Sequence, residues 1–307
     1  MHRLICRTYP LSFMSPISIK AGRKDLGSIR LVASDLDGTL IVGQFNAGQL
    51  TPRTIKVLHA LEKKGIRIVF ASGRPVRTML KAVEQAQLNN LMVICCNGAQ
   101  VLDSHSKKII KKFSIPPEHV SEIIGKVKDA FGDEAFIGIE SDVNFKCEAG
   151  YAEKRRASMY HPHIIVEDPR TGFMLTEEDT VEKIIVVHKT WPADKLHAYL
   201  KEHVFNDPKW EDIIHPTYSS QHFVEISAAN VSKATALKYL CEQLDISQKQ
   251  VIAFGDMPND IEMIKFAGIG VAMGNAHKEV KKLADLVTAR NVDNGVALVL
   301  ERMLKKL

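Results

Sequence analysis

The chain has 307 residues, 45% of them hydrophobic, which is enough for a large core and leads us to expect two domains of ordinary size. Its formal charge of +5 invites a nucleic-acid partner until the charge is located. Residues 1–30 hold Arg3, Arg7, Lys20, Arg23, Lys24 and Arg30 against Asp25 alone, so the rest of the chain is neutral and lacks the basic face such a footprint needs.

The first 24 residues carry Arg, Lys and Ser but no acid, a composition that fits organellar targeting or a leader without structure. Nowhere does an apolar run approach the ~20 residues of a membrane span. The cysteines, Cys6, Cys95, Cys96, Cys147 and Cys241, are odd in number, irregularly spaced and free of any CxxC pair. They read as reduced intracellular thiols, with a cytoplasmic location expected unless residues 1–24 direct otherwise.

Ile29 to Ser34 is an apolar run that ends at Asp35 and is broken by Gly38. Thr54 to Lys64 shows helical spacing of Ile55, Leu58 and Leu61, closed by Gly65. Ile66 to Ala71 reads as a strand, Thr78 to Ala86 as a helix, and Leu91 to Cys96 as a third strand that reaches Asn97-Gly98. After a long interval the alternation resumes with helices over Ala234 to Leu244, Ile261 to Ala267 and His277 to Ala284, and strands over Val251 to Phe254 and Ile269 to Met273. This is the pattern of an α/β fold with a doubly wound, Rossmann-like parallel sheet.

Between the halves the character changes, with more polar strands (Ala135 to Ile139, Ile184 to His188, Phe223 to Ile226), helices over Glu118 to Ala130 and Ala193 to Val204, and Pro-bearing turns. We expect an N-terminal extension over 1–27, a core from 28–103 and 226–307, and an inserted α+β cap over 104–225. Leaving past Asn97 and returning before Lys233, the cap must lie over the carboxyl ends of the strands, where open α/β sheets bind ligands.

Four stretches carry the chemistry. Asp35 and Asp37 are two apart at a strand end, so the pleat aims both carboxylates the same way, one to attack and one to handle a proton. Gly38 allows a sharp exit, and the Thr39 hydroxyl can hold the loop. Asp-x-Asp-Gly also opens calcium loops, but the later positions lack that spacing and the closing Glu. Ser72-Gly73 offers a hydroxyl and backbone N–H groups to phosphate oxygens at a helix start. Lys233 would neutralise both phosphate and nucleophile. Asp256, Asn259 and Asp260 cluster behind Gly255, and carboxylates with water and phosphate oxygens are the ligand set Mg²⁺ prefers. Each stretch alone has an ordinary reading as a turn or helix cap; all four in order do not.

At these residues the chain resembles the haloacid dehalogenase superfamily, and within it the Cof-type phosphatases with a cap after the third core strand. The resemblance runs from about Arg30 to Leu307, through DLDGTL, ASGR, CNGA (Cys96 to Ala99), GDMPND and VAMGNA (Val271 to Ala276). Only 35 positions separate Asp37 from Ser72, too few for a cap there, whereas 136 separate Asn97 from Lys233. The resemblance implies that Asp35 attacks phosphorus while Asp37 acts as acid and then base. Thr39, Ser72, Gly73, Lys233 and Asn259 would meet the phosphoryl group. Mg²⁺ would be held by Asp35, Asp37 through its carbonyl, and Asp256, with Asp260 as ligand or just behind.

The expected substrate is a small phosphorylated metabolite such as a sugar phosphate, with neither nucleic acid nor membrane as partner. A sugar phosphomutase of the same superfamily and a catalytically silent ligand-binding protein are the alternatives; the first calls for an arginine cluster that the insert lacks, and the second would have no need of Asp37. Asn144, Lys146, Tyr151, Lys154, Arg155 and Arg156 form the polar stretch from which a specificity loop could come, although a solvated cap surface is the preferred reading.

Overall fold

The computed structural model describes Ser18–Ile19 and residues 25–43, 48–141, 144–154, 164–167 and 180–307. Its larger sheet has nine strands in the spatial order Ser18–Ile19, Leu286–Val287, Ile269–Ala272, Val251–Gly255, Leu31–Ser34, Arg67–Ala71, Leu91–Cys95, Gln100–Asp103 and Lys108–Lys112. The six from Leu286–Val287 to Leu91–Cys95 are mutually parallel, and the flanking strands pair antiparallel.

These parallel strands are apolar runs because both faces are covered. Phe70 packs in one cluster with Leu58, Leu61, Val299 and Leu300, while its neighbour Val69 packs in another with Leu237, Leu240 and Met263. Adjacent residues facing different helix layers make the sheet doubly wound. The helix Pro52–Lys63 starts where Thr51 accepts from the Thr54 N–H and Pro52 supplies a fixed φ, and ends at Gly65, whose φ of +79° suits only glycine without strain.

The second sheet has six strands, in the order Ile164–Glu167, Asn144–Glu148, Ala135–Ser141, Lys183–His188, Val224–Ala228 and Ile214–Thr217. Ile137, Ile139, Ile184, Val186 and Ile226 pack with Ile123, Val127, Leu196 and Leu200 of the cap helices. The opposite face carries Glu140, which lies across from Lys183 and Phe145, and Glu225, which lies across from Ile185.

Sheet membership moves the expected cap limits of 104 and 225. The hairpin of Gln100–Asp103 and Lys108–Lys112 extends the large sheet, and Val224–Ala228 pairs inside the small one, so the chain changes sheets near residues 113 and 229. Within the expected extension, Ser18–Ile19 pairs with Leu286–Val287 at the sheet edge and Leu26–Ser28 forms a 3₁₀ turn capped by Asp25. The remaining residues of the targeting segment lie outside the described residues, as do Arg155 and Arg156. Lys154 donates to the carbonyls of His188 and Lys189, and Tyr151 is buried against Phe145. Among the described residues no helix is long and apolar enough to cross a membrane.

Both connections to the cap pass one point. Phe113 N–H bonds the Ala99 carbonyl at 2.7 Å on the way in, and a Cβ on Gly98 would lie 2.1 Å from the Ser232 carbonyl oxygen on the way back.

Candidate active site

The four stretches converge at the carboxyl ends of Leu31–Ser34, Arg67–Ala71 and Val251–Gly255, three neighbouring parallel strands. Asp35 continues its strand, its N–H bonded to the Phe254 carbonyl at 3.0 Å, so its side chain emerges beside the loop that carries Asp256. Lys233 is fully buried as the first residue of the helix Lys233–Gln243, where Ser232 caps the start. Its Nζ donates to Asp35 Oδ1 and to Asp260 Oδ1, both at 2.6 Å. The other Asp260 oxygen accepts from the N–H groups of Asp256 and Met257 at 2.9 and 3.0 Å. Both oxygens of Asp260 thus have protein partners, which suits it to hold the loop rather than face a ligand.

One carboxylate oxygen from each of Asp35, Asp256 and Asp260 lies within 4.8 Å of the others, and all three residues are buried. Burial pushes Asp35 well above the usual carboxylate range; Lys233 opposes this, while Asp260, Asp256 and Asp37 reinforce it. Burial, then the Asp260 charge, pushes Asp256 up to about 7. Hard oxygen donors crowded against their own ionisation are a donor set that a divalent cation relieves, so the residues present fit Mg²⁺.

Thr39 donates to Asp256 Oδ1 at 2.7 Å, so its hydroxyl ties the Asp37 loop to a carboxylate of the acidic cluster. Asn259 donates through Nδ2 to Asn97 Oδ1 at 2.9 Å. Ser72 is buried and its Oγ accepts from the Arg74 N–H at 3.2 Å, while Gly73 offers its carbonyl to Lys183. Asp37 stands at the mouth, its side chain one-third exposed, and Arg74 grips it through Nε at 2.6 Å and Nη2 at 2.5 Å.

Four residues near the site had no role assigned from sequence. Arg74 and Asn97 stand inside the quoted ASGR and CNGA runs; the signal for Asn97 is its place in a turn, where it adopts φ +57°. Lys183 and Glu225 are cap residues, almost wholly buried and 2.7 Å apart, and the sequence shows them only as lone charges in otherwise apolar strands. Asn259 Oδ1 is buried without a hydrogen-bond partner. Burial opposes the Glu225 charge, but Lys183, with hydrogen bonds from Ser219 and Asn97, holds its carboxyl below the usual range.

A doubly wound sheet with a buried lysine paired to Asp35 and an acidic cluster at its strand ends is the arrangement of a hydrolase of the haloacid dehalogenase class. The family model described as haloacid dehalogenase-like hydrolase matches residues 32–300, and the chain belongs to that family. It is 28% identical over 277 residues to the 5-amino-6-(5-phospho-D-ribitylamino)uracil phosphatase YcsE of Bacillus subtilis, covering 90% of this chain and 95% of the relative. A haloacid dehalogenase-like hydrolase from Bacteroides thetaiotaomicron superposes with a TM-score of 0.70 at 28% identity, over 90% of this chain and 99% of that one. The subclass IIB sugar phosphatase BT4131 shares the fold with a TM-score of 0.71 at 21% identity, over 89% and 98%. The protein is thus an enzyme of the phosphatase type within this family.

Proposed function

We propose that the protein is a Mg²⁺-dependent phosphatase that hydrolyses small phosphorylated metabolites through a phosphorylated Asp35. The observation that carries this reading is the buried Lys233 ammonium, 2.6 Å from both Asp35 and Asp260, beside Asp256 at the strand ends. A carboxylate so placed is held as a nucleophile, and the ammonium next to it offsets the charge a phosphoryl group brings.

In the first half-reaction an Asp35 oxygen attacks phosphorus, the ester P–O bond breaks, and Asp37, having taken up a proton on an oxygen released from Arg74, gives that proton to the departing oxygen. In the second, Asp37 takes a proton from water, the water oxygen bonds to phosphorus, and the bond to Asp35 breaks, which returns both carboxyl groups to their starting state. On this reading Arg74 directs the Asp37 carboxyl group, and Ser72 Oγ, Lys233 and the Asn259 amide would meet phosphoryl oxygens. Held by Asp35, Asp256 and the Asp37 carbonyl, with Asp260 behind, Mg²⁺ would supply positive charge at those oxygens.

A polar, hydroxyl-bearing phosphate ester is the substrate class this reading favours. The names of YcsE and BT4131 describe phosphate esters of this kind, a ribityl phosphate and sugar phosphates. The test is hydrolysis of p-nitrophenyl phosphate by the purified protein with and without Mg²⁺, beside Asp35→Asn. Metal-dependent turnover lost in that variant is expected; a folded, Mg²⁺-binding protein that releases no phosphate from aryl or sugar phosphates would overturn the reading.

A further inference from the structure

Lys183 belongs to the cap, yet its ammonium reaches the core. Its side chain is 2% exposed, and Nζ donates to the Gly73 carbonyl at 2.6 Å and to Glu225 Oε1 at 2.7 Å. Burial works against the charge, but the Glu225 carboxylate beside it outweighs this and raises Lys183 above its usual value, so the ammonium is kept. A buried ion pair is a poor device for stability, since well-packed apolar residues commonly do as well. Ile185 and Val187 on the same strand show that this face accepts such residues.

The Gly73–Arg74 peptide is trans, so its carbonyl and N–H point opposite ways. Lys183 holds the carbonyl, and on the other side the Arg74 N–H donates to Ser72 Oγ, leaving the Ser72 hydroxyl proton to point elsewhere. The guanidinium that grips Asp37 springs from the very next Cα. The contact is close: a Cβ on Gly73 would lie 3.1 Å from Asn97 Oδ1, 3.1 Å from Glu225 Oε1 and 3.2 Å from Ser219 Oγ. A second contact, from Arg77 to both oxygens of Glu140 at 2.6 and 3.0 Å, also joins core to cap but touches no backbone of the Ser72 loop.

We propose that Lys183 is a positioning residue: from the cap it fixes the Gly73–Arg74 peptide, and through that one plane it aims the Ser72 hydroxyl at phosphate and the Arg74 guanidinium at Asp37. This rests on the phosphatase reading for its catalytic consequence but not for its effect on phosphate binding. The cap therefore does more than cover the substrate; its docking completes the phosphate loop.

The experiment compares wild type, Lys183→Met/Glu225→Gln, which removes both charges at similar volume, and Arg77→Gln/Glu140→Gln, which removes the other contact. Each is assayed for kcat and KM on p-nitrophenyl phosphate, for affinity toward inorganic phosphate by calorimetry, and for Tm. For the Lys183 double variant we expect a fall of about tenfold to a hundredfold in kcat, the scale of a small misplacement of reacting groups, with weaker phosphate binding and a Tm near wild type. The Arg77 double variant is expected to keep both. Should the Lys183 double variant fail to fold, Lys183→Arg, which keeps the charge on a longer fork, serves in its place with the same expectation. A folded Lys183 variant with unchanged kcat and phosphate affinity overturns the proposal, as do equal losses in both double variants, which would mean that any loosening of the cap suffices. A wild type without turnover would sink the phosphatase reading alone, since phosphate affinity still reports on the loop.

Discussion

Thr39 and Asp256, 217 positions apart, are joined by a hydrogen bond of 2.7 Å in which the threonine hydroxyl donates to the carboxylate. On the proposed Mg²⁺ reading the bond fixes which Asp256 oxygen remains for the cation, so Thr39 would act on metal affinity from one atom away. Removing a hydrogen-bond partner of a metal ligand typically weakens binding by about 10–100-fold. Thr39→Val should therefore raise the Mg²⁺ dissociation constant by about tenfold or more, read by calorimetry, while Thr39→Ser stays near wild type. Equal affinities in Val and wild type would remove Thr39 from the metal site.

If Mg²⁺ binds the acidic cluster as proposed, its binding depends on pH. Burial and the Asp260 charge place Asp256 at about 7, and Asp35 is raised by burial and its carboxylate neighbours against Lys233. Both exceed the value of about 3.9 expected unfolded. A carboxyl raised by folding holds more protons in the folded state across that interval, so metal-free stability is highest below about pH 4 as far as these groups go, and declines toward about pH 7. Mg²⁺ needs the ionised form, so its affinity rises through the same window and levels above it. Thermal melts should show a larger Mg²⁺-induced rise in Tm at about pH 8 than at about pH 5; equal rises would contradict the shift.

Lys233→Met removes one ammonium and leaves Asp35 and Asp260 facing each other, both buried. Breaking a buried pair from one side typically costs about 3–5 kcal/mol, and urea unfolding without metal should show a loss of that order. Mg²⁺ should restore part of it, because a cation takes over the neutralisation. A loss under about 1 kcal/mol would show that the ammonium offsets little there.

Gly38 has φ +80°, and a Cβ built on it would lie 2.4 Å from Asp256 Oδ2. Gly38→Ala therefore combines backbone strain of about 1 kcal/mol with displacement of a cluster carboxylate. Its Tm should move by a few degrees while Mg²⁺ affinity drops steeply, a pairing that separates damage at the site from damage to the fold. Unchanged affinity would mean that the Asp256 side chain gives way without consequence.

The core was legible because its strands announce themselves twice, as apolar runs and through the polar stretch at the carboxyl end of each. Of the expected strand Ile66 to Ala71 all but Ile66 falls in the observed Arg67–Ala71, Val251 to Phe254 lies inside Val251–Gly255, and Asp35, Asp256, Asp260 and Lys233 gather at one end of the sheet. The hairpin after Asn97 was not legible. Lys108–Lys112 has two adjacent apolar residues and three exposed lysines, so no alternation marks it, and its turn relies on Lys107 at φ +55° where glycine would have signalled. Missing it placed the cap boundary too early. That the Thr39 hydroxyl holds its loop by donating to Asp256 was beyond the sequence, which shows the donor but not an acceptor from the far half of the chain. Lys183 and Glu225 escaped for the converse reason, since a single charge in a strand reads as solvated until a partner on another strand is seen to be buried with it.

The meeting of Phe113, Ala99, Gly98 and Ser232 has an evolutionary side. An insert whose two ends are already side by side imposes on its host only the closure of a short link, whatever its own length, because loop entropy counts the gap to be spanned and not the folded mass hung from it. Exchange of the whole cap for one of another size leaves that link unchanged. The narrow point is set by Gly98, whose missing side chain lets the outgoing and returning backbones touch, so a single methyl group there would reach every graft made at this junction.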